Sequence, residues 1–233
     1  MRLADEPLRG FGQRIIDRAR LPVSVLLALP FLVVALEYFF FLIEHGVGVT
    51  GAIEQIKKDA ALFIALGGVP PILLAFSREL QVHDLIDKML GVRTTVDAQI
   101  RNLLQNLARD SGYDHPERIA ESPVKAREWF YSFANEQPVL RAYAFEIWEA
   151  YFVGLYISLA SVISLTIFIF LAQFFFSDAI VWSCVGLCAF IFIAQWAVRH
   201  WSTVPTIMKL PAQQVGEIKA SPEILKEAQR RFG

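Results

Sequence analysis

Cysteine is scarce in this chain: Cys184 and Cys188 are the only two. They lie one helical turn apart in an apolar stretch, a spacing that rarely meets disulfide geometry on one helix. They lack the companion ligands of a metal site, so they read as small, soft packing residues. Net charge is also absent. The chain carries 22 Lys and Arg against 23 Asp and Glu, a formal charge of −1, so no global field points to nucleic acid. It has no phosphate-binding loop, zinc-ligand spacing, metalloprotease helix motif or nucleophile elbow. No alternating strand pattern, internal repeat or low-complexity segment appears. These absences set aside the common enzyme classes and predict no cofactor and no metal.

What the chain has instead is long apolar runs, at Leu21–Ile43, Ala60–Phe76, Ala150–Phe176 and Ala179–Val198. A hydrocarbon layer about 30 Å thick needs on the order of 20 apolar residues per spanning helix. The first, third and fourth runs satisfy this, and the second sits near the lower limit. The first run is too long, and lacks a small-residue cleavage site, to be a secretory signal.

Apart from Lys57 and Lys58, between the first and second runs, the arginines and lysines fall into three groups. Arg2, Arg9, Arg14, Arg18 and Arg20 precede the first run. Arg78, Lys88, Arg93, Arg101, Arg109, Arg118, Lys125, Arg127 and Arg141 lie between the second and third. Arg199, Lys209, Lys219, Lys226, Arg230 and Arg231 follow the fourth. Positive segments mark the cytoplasmic face. The pattern predicts an all-α protein of the inner membrane with four transmembrane helices and both termini cytoplasmic. Its expected parts are an amphipathic segment at 1–20, helices 1 and 2 within 21–76, a cytoplasmic helical domain at 77–143, helices 3 and 4 within 144–198, and a cytoplasmic tail at 199–233. In the first part, Phe11, Ile15 and Ile16 would meet lipid in an in-plane helix.

The 77–143 segment reads as helices. Gly91 is a stop and Thr95 a cap, with Val96, Ile100, Leu103, Leu104 and Leu107 on one face. Ser122-Pro123 is a second start, and Pro138 restarts a helix that runs into the third span. Ser221-Pro222 opens a last amphipathic stretch to Phe232, able to complete the bundle. A segment rich in Trp, Phe and Leu is no idle linker.

Several constellations fit a pore or its gate. Gly67, Gly68, Pro70 and Pro71 weaken the second span and free backbone carbonyls, as in a hinge or a broken helix. Glu37 is an intramembrane carboxylate, which faces either a cavity or a partner such as Ser164 or Thr166. Gly154, Ser158, Ser161, Leu165 and Phe168 form a stripe on the third span. It is either a close-packing face or a pore wall with an apolar constriction at Leu165 and Phe168. Glu146 and Glu149, one turn apart, would form an inner mouth or remain solvated helix charges. Arg118, Lys125 and Arg127 offer an anion-binding group for a nucleotide or oligonucleotide, although Glu117, Glu121 and Glu128 interleave with them.

The pairs Arg78…His83 and Arg109-Asp110…His115 resemble the arginine–histidine spacing of HEPN-type helical ribonucleases, which would imply membrane-tethered RNA cleavage. In the order of its spans, the domain inserted between Phe76 and Ala150 and the short outer hairpin at Phe176, the chain resembles small four-span membrane effectors of bacterial anti-phage defence. That resemblance implies a homo-oligomeric ion channel or pore in the lipid bilayer, kept shut until a cytoplasmic domain receives a signal. A membrane-anchored scaffold that recruits a soluble partner protein is the alternative of another class.

Overall fold

The computed structural model describes residues 5–58, 82–112, 122–172 and 179–232. Every regular element among them is helical. In chain order these are α1 (Asp5–Glu44), α2 (Val49–Lys58), α3 (Val82–Leu90), α4 (Val92–Asp110), α5 (Pro123–Glu136), α6 (Pro138–Ala172) and α7 (Ala179–Val198). A π-helical segment (Arg199–Thr203), α8 (Val204–Ala220) and α9 (Pro222–Phe232) follow.

Among the described residues, three stretches are long and apolar enough to cross a membrane, within Gln13–Glu44, Ala144–Phe170 and Ala179–Ala220. The expected span at Ala60–Phe76, with Gly67, Gly68, Pro70 and Pro71, lies outside the described residues. So does the expected outer hairpin, Phe174–Asp178. The helices exceed what a bilayer needs. At about 1.5 Å per residue, the 40 residues of α1 extend about 60 Å, twice the roughly 30 Å hydrocarbon layer.

The chain divides into two compact units. The first comprises Met1–Ile15, Asp84–Phe152 and Val198–Gly233, and the second Ile16–His83 and Val153–Ala197. The helical unit is therefore not the 77–143 insertion alone. It also takes in both ends of the chain and the start of α6. Nor is residue 20 a boundary, because α1 runs through it without interruption. Ile15 is buried within the protein.

In the second unit, α1 buries Ala19, Val23, Leu26, Leu27 and Val33, spaced by three or four residues as on one helical face. Leu21, Val25, Leu32, Leu36 and Phe40 are exposed on the opposite face, as lipid contact requires. Val33 joins Phe168, Ala172, Val181 and Cys188 in an apolar core, with Leu29, Leu165 and Cys184 packed against it. Both cysteines thus serve packing.

One bond in this unit explains a proline in a spanning helix. Pro30 lies inside α1 and has no N–H to give the carbonyl four residues earlier, that of Leu26. The Ser164 hydroxyl of α6 donates to that carbonyl at 2.7 Å. The bond meets the rule that backbone polar groups in hydrocarbon be satisfied internally.

In the first unit, α4 packs against α5 and α8. Val96, Ile100, Leu104 and Leu107 of α4 are buried, as are Phe130 and Phe133 of α5 and Ile207, Leu210 and Ile218 of α8. Gly91 takes a left-handed φ of 68°, a conformation cheap only for glycine. It joins α3 directly to α4, which therefore starts at Val92 rather than at a Thr95 cap. The Thr95 hydroxyl donates back to Gly91 O instead. Ser122 caps α5 by accepting from Lys125 N at 3.2 Å. Pro138 opens a helix that runs unbroken to Ala172.

Candidate functional site

The densest buried chemistry among the described residues is a set of acids, arginines and aromatic hydroxyls within the first unit. Five elements supply it. Asp87 lies on α3, one turn before the Gly91 turn. On α4, Asp97 and Arg101 are four residues apart and so share a face. Arg127 and Tyr131 are in the same relation on α5, Trp148 and Tyr151 come from α6, and Arg199 from the π-helical segment.

The Tyr151 hydroxyl donates to Asp87 Oδ1 at 2.8 Å, and each residue is only 1 % exposed. Arg127 Nη1 donates to Asp97 Oδ2 at 3.0 Å, with both side chains largely covered. Burial raises the Asp97 carboxyl above its ordinary range, and the negative charge of Asp87 adds to this. Arg127 and Arg93 pull the other way. Burial also pushes the Tyr131 hydroxyl up to about 12, against the effect of the Trp148 indole beside it. Trp148 packs edge-on to Tyr151 with ring centroids 5.7 Å apart and stacks on Phe152 at 5.8 Å.

The network is incompletely satisfied. Asp97 Oδ1, Arg101 Nε and Gln214 Oε1 are buried without a hydrogen-bond partner. Each such atom costs roughly 1–3 kcal/mol. Removing one partner of a buried charge pair is strongly destabilising, whereas the intact pair contributes little net stability. This chemistry suits a register-holding or switching element rather than bond making. Among the described residues, no three His, Cys, Asp or Glu side chains come together as metal ligands would.

The residues singled out from sequence fare differently. Glu37 is half-buried on α1. Neither suggested hydroxyl is spent on it: Ser164 donates to Leu26 O and Thr166 to Val162 O. Ser158 and Ser161 return their hydroxyls to their own helix, at Gly154 O and Ile157 O, both at 2.8 Å. Ser161 and Phe168 are fully buried within one protomer, and Leu165 packs against the same core as Phe168. Ser158 and Leu165 are only half-buried. Gly154 meets the Gln195 side chain, a close-packing role.

Glu146 is exposed and Glu149 buried, so they form no pair at a mouth. Lys125 is exposed, whereas Arg127 is held by Asp97 and is not available as an open anion site. Arg118, Arg78 and His115 lie outside the described residues. Asp110 pairs with Lys219 at 2.7 Å.

Sequence reading missed Asp87, Asp97, Tyr131, Tyr151 and Arg199. A signal was present in Asp97, an acid beside the apolar stripe of α4 rather than on its polar face.

The chain belongs to the YmfE protein family, which it matches over residues 26–231. No curated protein and no solved structure matches it.

Proposed function

We propose that the protein is a homo-oligomeric channel or pore of a bacterial inner membrane, gated through its polar helical unit. Parity supports the four-span arrangement with both termini cytoplasmic. The three basic segments, within 2–20, 78–141 and 199–231, belong on one side of a bilayer. A chain that leaves after Arg20 and is back by Arg78 crosses an even number of times. The apolar run at Ala60–Phe76 supplies the return. Segment 153–197 likewise goes out and back, along α6 and α7.

The observation that carries the gating reading is α6 itself. Its 35 residues form one helix, about 52 Å long at roughly 1.5 Å per residue. It bears Trp148 and Tyr151 of the buried network near one end. Further along, it bears Ser164, bonded to the carbonyl freed by Pro30. A change at the Tyr151–Asp87 bond is thus made on the same rod that carries Ser164. Such a two-state element is what gating requires.

With Ser161 and Phe168 buried within the single chain, this reading seeks the conducting surface elsewhere. Glu37, half-buried on α1, is its leading candidate, because intramembrane carboxylates face cavities or partners.

The test is ion flux from liposomes holding the purified protein, together with the mass of the detergent-solubilised complex. A stable oligomer whose flux or cation preference changes on Glu37→Gln bears the proposal out. A monomer, or liposomes tight under every condition, refutes it. Tight liposomes whose protein retains a soluble partner would place it among membrane-anchored adaptors.

A further inference from the structure

The C-terminal helix α9 is the most lightly held element of the first unit. Of its residues with described side chains only Ala228 is buried, with Ile224 and Leu225 half-covered. By contrast α8, immediately before it, buries Ile207, Leu210, Pro211, Gln214, Val215 and Ile218. Ser221, in extended conformation, is the single residue between the two helices. Low apolar burial beside a short hinge marks the low-stability end of a fold.

Among the described contacts, one side chain ties α9 to α5. The Arg231 guanidinium donates to both carboxylate oxygens of Glu136 on α5. Through Nε it donates to Glu227 Oε1 at 3.0 Å. It also lies 5.5 Å from the centre of the Phe133 ring, a cation–π distance. Phe133 is fully buried, so Arg231 helps to cover an aromatic core residue from outside. Bidentate arginine–carboxylate pairing is geometrically specific, yet this pair is partly solvated, with Glu136 about half exposed. Its strength is therefore modest and sensitive to salt.

We infer that α9 is a releasable strap, latched onto α5 by Arg231, and that its release is the regulatory step of the helical unit. The regulatory half rests on the gating reading above; the strap stands on its own geometry. When α9 swings on Ser221, the Phe133 edge and the Glu136 carboxylate are uncovered on α5. Lys226 and Arg230, exposed on α9, leave with it.

The full-length protein in lipid nanodiscs tests this by limited trypsin digestion, with cleavage after Lys226 followed by mass spectrometry. Arg231→Gln and Glu136→Gln are each expected to speed that cleavage about fivefold, the scale of a solvated ion pair. The double variant is expected to be no faster than Arg231→Gln alone, because both changes open one latch. The Asp110→Asn variant, which breaks the separate Lys219 pair, should add independently to either. Wild-type cleavage rates in Arg231→Gln, or additive effects of the two latch changes, overturn the strap. In liposomes, Arg231→Gln is expected to raise basal ion flux. Faster cleavage with unaltered flux, in protein that conducts, overturns the regulatory role. If no variant conducts while the cleavage cycle behaves as stated, the channel reading falls and the strap stands.

Discussion

The Ser164 hydroxyl offers the cleanest test of how the membrane unit is built. Pro30 deprives the Leu26 carbonyl of its helical donor, and Ser164 replaces that donor from another helix at 2.7 Å. Ser164 is fully buried, so no water stands ready when the hydroxyl is removed. Ser164→Ala should therefore cost the desolvation penalty of an orphaned carbonyl, about 1–2 kcal/mol. That lies above the roughly 0.6 kcal/mol average for interhelical bonds in bilayers, because the proline excludes the usual backbone alternative. Pro30→Ala restores the N–H and with it the intrahelical bond. In that background Ser164→Ala should cost under about 0.5 kcal/mol, giving a coupling of about 1 kcal/mol between residues in different helices. Reversible unfolding of all four proteins in mixed micelles, as detergent composition is titrated, measures the cycle. Equal costs of Ser164→Ala in both backgrounds would refute the claim that this hydroxyl serves the proline-freed carbonyl.

In the buried network, Tyr151→Phe removes the hydroxyl donor to Asp87 and should lower stability by about 1–3 kcal/mol. Adding Asp87→Asn should cost little more, since the two residues share one bond; thermal unfolding of the detergent-solubilised protein reads both. Asp97 makes a pH prediction with a definite sign. Its carboxyl titrates above the ordinary range, chiefly through burial, so the folded state holds this proton more tightly than the unfolded chain does. Its contribution to stability is fully present below the unfolded pKa of about 3.9 and is lost as pH rises through the raised folded value. A melting series across this window should show the slope in wild type and lose it in Asp97→Asn; identical slopes would contradict the assignment. Single cysteines in a background without Cys184 and Cys188 test the parity argument. Thr50→Cys should react only with an impermeant reagent supplied outside, and Asn106→Cys only with one supplied inside, as labelling of intact and opened cells will show.

The helical class and the three apolar spans were legible because both follow from composition over long windows. Serine–proline starts were legible as well: Ser122 caps α5, and Ser221 precedes α9. The candidate site was not legible, for a physical reason. Burial of an acid is a tertiary property: Asp87 and Glu149 differ in no local feature from exposed Asp110 and Glu146, and Asp97 alone lies beside an apolar stripe. The stripe of Ser158, Ser161 and Phe168 left two readings open. Small polar residues in a spanning helix suit a wet wall and a dry interface equally. Only packing shows that Ser158 and Ser161 bond their own helix and that Phe168 is core. The N-terminal arginines, with Phe11, Ile15 and Ile16, were read as an in-plane anchor; α1 runs from Asp5 to Glu44 without interruption.

Where these long helices can bend follows from where their backbone ladders are interrupted. Kinks arise at proline and at π-turns, seldom elsewhere. In α1, Pro22 and Pro30 lie within the helix, and Pro211 lies within α8. The π-helical segment Arg199–Thr203 precedes α8, and such segments recur at functional positions. No proline follows Pro138 in α6. Compliance therefore belongs to α1 and to the α7–α8 passage, while α6 stays stiff. Arg199 sits in the π-helical segment that precedes α8. A rearrangement of the first unit that leaves the Tyr151–Asp87 bond intact is confined to the helices that can yield. One that breaks it sets the rod free as well, and that difference makes this bond, rather than any residue in the apolar core, the place to look for two states.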